Sequence, residues 1–213
     1  MISHVHIYGK HFSSFVRSVQ LCCEELGIQY TLGIEVDSHM IEFKSSEHLA
    51  LNPFGKMPIL IHDGRALYET QAICRYLIDN FSGTALQSQD IWQRAQVDQW
   101  CSAITSYIDK YVIRDYLMEF VFPKGDKGSV RMDVAQAAMP AIINAVKILE
   151  SQLGNNDYLV GDEYSLADIL LVPVLHYLIG GPNNSDLVSA NSSLRTYVAR
   201  IQARLAAKNV FVK

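Results

Sequence analysis

One stretch constrains the fold more than any other. It runs from Asn52-Pro53-Phe54-Gly55-Lys56-Met57-Pro58-Ile59-Leu60 to Glu69-Thr70-Gln71-Ala72-Ile73-Cys74-Arg75-Tyr76. A bend at Met57-Pro58 opens into a short apolar strand, Ile59 to Ile61, and Asp63-Gly64 is a hairpin turn signal. A second strand, Ala66 to Tyr68, then delivers Glu69-Thr70 to an amphipathic helix. The residue before a proline is restricted to extended conformations, so Met57 can pair its N–H and C=O with another extended peptide. At Thr70 the helix start offers N–H groups that have no intrahelical partner, and these favour a carboxylate. A groove with both properties suits a small acidic peptide.

Length and composition set the frame around this device. With 213 residues, 49% of them hydrophobic, the chain can build one large core or two smaller ones. Its net charge of −4 argues against a nucleic-acid surface, which carries a basic face. Cys22, Cys23, Cys74 and Cys101 have neither metal spacing nor a disulfide framework, and each stands at a helical position as a small buried hydrophobe. The first residues show no basic region followed by an apolar core, and no run reaches the roughly 18 uninterrupted apolar residues of a membrane span. The expected setting is a reducing cytoplasm without membrane insertion.

Read along its length, the chain divides near residues 81–90. Val5, Ile7 and Tyr8 form a first strand, Ser14 to Leu26 a helix ended by Gly27, and Gln29 to Val36 the next strand. With the strand pair and helix above, the order is β-α-β-α-β-β-α over residues 1–82. Residues 81–88 have no period and read as a linker. From 90 to 213 apolar residues recur at helical spacing: Ile91, Ala95, Val97, Trp100, Ile104 and Ile108, later Met139, Ile142, Ile143, Val146, Ile148 and Leu149. That half is all-helical. Ser165 and Asp168 read as a capping box, with Tyr164 and Ile169 at the staple positions, and Pro173 should kink the helix that follows.

Leu51 to Pro58, Glu69 to Leu77, Tyr158-Leu159-Val160-Gly161-Asp162 and Ser165-Leu166-Ala167-Asp168-Ile169, in this order and spacing, resemble the glutathione transferase family, and within it the phi- and theta-like serine-type members. The resemblance implies a thioredoxin-like α/β domain at 1–82, an all-helical domain at 90–213, and glutathione as cosubstrate with no permanently bound cofactor and no metal. In such enzymes a serine at the junction of the first strand and first helix donates a hydrogen bond to the glutathione sulfur. Ser13 matches it by its distance from Tyr8-Gly9 and Arg17, and Ser14 fits almost as well, so one is the donor and the other the cap. Tyr8 competes, because other branches use a tyrosine near the end of the first strand.

For the rest of the tripeptide the resemblance assigns Lys44 and Lys56 to the glycine carboxylate. Met57 pairs with the cysteinyl backbone beside a cis Pro58, Glu69 meets the γ-glutamyl ammonium and Thr70 its carboxylate. Phe43 stands where the family often has histidine, which removes one contact. The electrophile is expected against Phe12, Tyr107, Tyr111, Arg114, Tyr116 and Leu117, although aromatics at this spacing are more often core. His176 reads as a helix histidine with a local partner. The implied partners are glutathione, a small hydrophobic electrophile and a second copy of the chain, the homodimer being built by the helices starting near Thr70 and Asp90. Ala72, Ile73, Tyr76 and Leu77 then form the core stripe of the first of these helices, leaving Ile78 for the interface. Conjugation to electrophiles, with reduction of organic hydroperoxides, is the leading function. A noncatalytic binding or assembly module and a glutathione-dependent isomerase are the alternatives.

Overall fold

The computed structural model describes residues 4–81 and 86–211, so half of the linker expected at 81–88, residues 82–85, lies outside the described residues. The chain forms two compact units. One runs to Gln87 and resumes at Arg204; the other is Ser88–Ala203.

The first unit begins β1 (Val5–Tyr8), α1 (Ser14–Glu25) and β2 (Tyr30–Gly33). β2 lies parallel to β1, a pairing that needs a crossover, and α1 supplies it. Gly27 closes that helix at φ 66°, in the left-handed region that a side chain disfavours. The sequence reads 29–36 as one strand, but it breaks after Gly33. A separate hairpin follows, β3 (Glu35–Val36) and β4 (His39–Met40), joined by Asp37 and Ser38 at φ 49° and 65°. Positive φ at both turn residues is the two-residue geometry that matches strand twist.

α2 (Ser46–Leu51) leads to β5 (Ile59–His62), β6 (Arg65–Tyr68) and α3 (Thr70–Phe81). The four-stranded sheet has the order β2-β1-β5-β6, with β5 antiparallel to both β1 and β6. Asp63 and Gly64, at φ 49° and 75°, make the expected hairpin turn.

α3 departs from its expected stripe: Ile73, Cys74, Leu77 and Ile78 are buried, while Ala72 is exposed. Ile78 is 0% exposed and leaves nothing for an interface. The reason is that α3 packs on α1 as well as on β5 and β6, so its apolar face spans more than one stripe.

The last helix, α10 (Leu205–Val210), belongs to this unit and not to the helical half. It packs along α1, where Arg204 grips Glu25 through two bonds of 2.6 and 2.8 Å and Asn209 reaches Glu24 at 2.8 Å. Covered by α3, α10 and the sheet, α1 is buried nearly all round, with both its cysteines.

The second unit is helical: α4 (Ile91–Ala103), a wider-wound stretch at Ile104–Ile108 and Lys110–Leu117, α5 (Met118–Val121), α6 (Met132–Leu153), α7 (Leu166–Gly180), α8 (Asn184–Leu187) and α9 (Ser193–Gln202). α7 is apolar on every face and fills the centre, passing through Pro173 as one element. Such a helix is stable only inside a core. α6 is long and apolar enough to cross a membrane by length and composition. Asn144, Lys147 and Glu150 interrupt it, and its buried face, Ile142, Val146, Leu149 and Leu153, serves this unit's core.

The capping box at Ser165 is present, and Asp168 does more than close it. Its carboxylate accepts from the Ser165 amide and hydroxyl at 2.9 and 3.0 Å, from the Leu159 amide at 2.8 Å, and from the Tyr197 hydroxyl at 2.7 Å. His176 has its local partner, Gln202, at 2.7 Å.

Candidate functional site

The strand register assembles the site. Tyr8 at the end of β1 lies opposite Ile59 at the start of β5, and Ile59 lies opposite Tyr68 at the end of β6. Gly33 completes the same row from β2. Three segments distant in sequence therefore meet at one end of the sheet: the turn into Ser13, the Met57-Pro58 bend, and Glu69-Thr70. Gly9 makes the approach possible, because a Cβ there would meet the buried Val16 Cγ2 at 2.5 Å and face Met57 Cβ at 3.7 Å.

Ser13 is the N-cap of α1, and its Oγ accepts from the Val16 amide at 3.5 Å. A cap uses a lone pair of the hydroxyl, so its proton is left to donate elsewhere. Ser13 is thus the cap of the two serines, and capping leaves its hydroxyl proton available. Ser14 is the first helical residue and is buried. Tyr8 is wholly buried, its hydroxyl donates to the Ile41 carbonyl at 3.0 Å, and burial raises its phenol above the ordinary value. Its one proton is committed to the core.

Met57-Pro58 is cis. Lys44 and Lys56 are exposed on neighbouring loops, and Lys44 is held at φ 68°. Glu69 is exposed at φ 73°, a conformation uncommon outside glycine, and its carbonyl accepts from Ile73 to open α3. Thr70 follows as the buried first residue of that helix.

The residues expected to face the electrophile divide between the units. Phe12, more than half exposed, precedes Ser13 in the first. Tyr107, Tyr111 and Arg114 lie in the second, on the wider-wound stretch, a geometry frequent at functional sites. Arg114 Nε is anchored 3.0 Å from the buried Asp109 carboxylate. Tyr116 and Leu117, by contrast, are buried in the helical core, and the Tyr116 hydroxyl donates to the Pro182 carbonyl at 2.9 Å.

Sequence reasoning missed His48 and Asn52 as members of the site, and Asp109 as the anchor of Arg114. His48 bridges the loops of Lys44 and Lys56, and Asn52 Nδ2 donates to the Lys56 carbonyl at 3.1 Å. Their partners are backbone groups, which no side-chain pattern displays. Among the described residues no group of three or more His, Cys, Asp or Glu could hold a metal ion.

A mixed four-stranded sheet with a cis-proline bend at the start of a central strand, followed by a helical unit, defines a thioredoxin-like α/β domain joined to an all-α domain. Residues 7–85 match the family model "Glutathione S-transferase, N-terminal domain" and residues 112–204 match "Glutathione S-transferase, C-terminal domain". The chain is 30% identical to glutathione S-transferase F10 of Arabidopsis thaliana, covering 97% of this chain and 96% of that protein. It superposes on glutathione transferase F7 from Populus trichocarpa with a TM-score of 0.84 at 26% identity, over 97% of both chains. A maize glutathione S-transferase I, solved in complex with an atrazine glutathione conjugate, gives 0.82 at 25% identity, over 97% of this chain and 96% of that one. The chain belongs to the glutathione S-transferase family.

Proposed function

We propose that the first unit binds glutathione, holds it as a thiolate through Ser13, and adds it to hydrophobic electrophiles; the same thiolate reduces organic hydroperoxides. The observation that carries this reading is the register row Tyr8, Ile59, Tyr68, which brings the turn into Ser13, the Met57-Pro58 bend and the start of α3 to one end of the sheet. Met57 pairs with the cysteinyl backbone, Glu69 takes the γ-glutamyl ammonium, Thr70 its carboxylate, and Lys44 and Lys56 the glycyl carboxylate. Phe12 serves the electrophile from this unit. No permanently bound cofactor or metal enters the reaction, which takes place in the cytoplasm. Titrating the purified protein with glutathione tests it: the thiolate's ultraviolet absorbance should appear at neutral pH, and a panel of electrophiles should be conjugated. Binding without thiolate formation would reduce the chain to a binding module.

Glu69→Ala should weaken glutathione by roughly 1.5–3 kcal/mol, the range of a hydrogen bond to a charged group, and Thr70→Ala by less. The loss belongs in affinity more than in turnover. Unchanged calorimetric binding by Glu69→Ala would move the γ-glutamyl site elsewhere.

The active form is a homodimer. With Ile78 buried, α3 contributes less to this reading than its sequence implied, and the support lies in α4, where Ile91 and Trp92 are 75% and 74% exposed. Large adjacent apolar side chains are what an interface covers, and an obligate one would bury on the order of 2,000 Å² or more. Light scattering at micromolar concentration should give twice the 23.9 kDa of one chain. A monomeric mass rejects the dimer and leaves the chemistry standing.

A further inference from the structure

His48 is 0% exposed, yet both ring nitrogens are engaged by backbone. Its Nδ1 lies 2.8 Å from the Lys44 amide nitrogen. An amide can only donate, so Nδ1 is the unprotonated acceptor and the ring proton sits on Nε2. From there it donates to the Lys56 carbonyl at 3.1 Å, an oxygen that Asn52 Nδ2 also reaches at 3.1 Å. One neutral imidazole thus fixes the backbone of both lysines.

Two aromatic rings hold the imidazole as well. Tyr8 and Phe43 lie tilted against it at centroid distances of 5.0 and 5.1 Å. Phe43, the departure from the family's frequent histidine, is thus one of the rings against this imidazole, and the Lys44 ammonium rests 5.7 Å from its ring centroid. Lys44 itself sits at φ 68°, a conformation that a non-glycine residue keeps only when its surroundings over-determine it. The bond from its amide to His48 is such a restraint.

We propose that His48 is the positioning residue of the glycyl end of the cradle: its Nε2–H tautomer sets the backbones of Lys44 and Lys56 so that their ammonium groups meet the glycyl carboxylate of glutathione. The inference rests on the assignment of those lysines made under the proposed function. It goes further in locating selectivity for that carboxylate in a side chain that never touches the tripeptide. An anion shared by two cations is recognised only if both are held in register, because each lysine otherwise loses rotamer freedom for a solvent-exposed contact of little worth.

The test compares glutathione with its glycyl ethyl ester, which lacks the anion, by calorimetry on wild type and His48→Leu. Wild type should bind glutathione roughly tenfold to a hundredfold more tightly than the ester, as expected for charge-assisted contacts. In His48→Leu the ester should bind within about twofold of wild type while the preference for glutathione disappears, an affinity split that general loosening of the fold would not produce. An unchanged preference, or an equal loss for both ligands, overturns the positioning role. Wild type binding both ligands equally overturns the lysine assignment beneath it, and binding neither overturns the functional reading itself. If His48→Leu does not fold, the imidazole nitrogens of isotopically labelled wild type decide by magnetic resonance. An Nε2–H tautomer that persists in the glutathione complex supports the proposal, and an Nδ1–H tautomer or an imidazolium at neutral pH overturns it.

Discussion

Ser13→Ala should lower turnover about tenfold to a thousandfold while leaving glutathione affinity nearly unchanged, because the lost contact is to the sulfur anion and not to the tripeptide as a whole. A thiol with a pKa near 8.5 is only a few per cent ionised at neutral pH. Lowering that pKa by about two units requires about 2.7 kcal/mol of preference for the anion. A hydroxyl donating to a charged acceptor supplies about 1.5–3 kcal/mol, and the positive end of α1 adds a fraction of that. The variant should therefore raise the pKa of the bound thiol by about one to two units, read from thiolate absorbance as pH is varied. The fold should tolerate the change, since a cap is typically worth about 1 kcal/mol and this one is long at 3.5 Å. Ser14→Ala should be milder. Tyr8→Phe should lose stability and not chemistry, because the Tyr8 hydroxyl is bonded to the Ile41 carbonyl inside the core. Full activity in Ser13→Ala, with Ser14→Ala or Tyr8→Phe inactive, would reassign the donor.

What could be read from the residues and what could not follows from where the information lies. The Met57-Pro58 bend, the Asp63-Gly64 turn, the stop at Gly27 and the Ser165-x-x-Asp168 box each reside in a few consecutive residues, and each is where its local chemistry puts it. The family match added the thioredoxin-like topology and the direction of the site, which no single fragment carries. Burial on a second face was legible at Cys74 only as a property of cysteine and not at all at Ile78, which is core because α1 packs beside α3, and helical periodicity cannot show a neighbour. Nor was the return of α10 to α1, since the Glu25–Arg204 pair joins opposite ends of the chain. Tyr116 resembled a pocket residue by its spacing from Tyr107 and Tyr111, and its partner, the Pro182 carbonyl, is a backbone atom. His48 escaped for the same reason. Side chains whose partners are backbone groups leave no pattern in a sequence, and those are the ones that shape the cradle.

The largest loss of stability is expected at Asp168, far in kind from the chemistry of Ser13. Asp168→Ala should cost about 3–5 kcal/mol, the range found when one partner of a buried charged network is removed. Its carboxylate joins three parts of the second unit: the turn at Leu159, the first residue before α7, and Tyr197 on α9. Burial pushes the carboxyl up from its ordinary range, while the bonds from Leu159, Tyr197 and Ser165 pull it back. Every one of those partners is a donor, so the alanine variant takes the acceptor away from the Leu159 amide and from the buried Tyr197 hydroxyl. An unmet buried donor costs about 1–3 kcal/mol each, and the losses here overlap because all pass through one carboxylate. Asp168→Asn should fall between wild type and alanine: it keeps one acceptor oxygen, but in either orientation its N–H₂ faces a hydroxyl that can rotate to accept and a backbone N–H, Leu159's or Ser165's, that cannot. For a chain of this size 3–5 kcal/mol corresponds to a fall in Tm of roughly 6–20 °C, which calorimetry resolves easily. Because Asp168 lies in the helical unit and the residues proposed for glutathione belong to the first unit, protein that stays folded should keep its affinity for glutathione. An Asp168→Ala variant within about 1 kcal/mol of wild type, the ordinary effect of a surface change or a lost cap, would show that the carboxylate is only a helix cap and that Tyr197 and Leu159 find other partners.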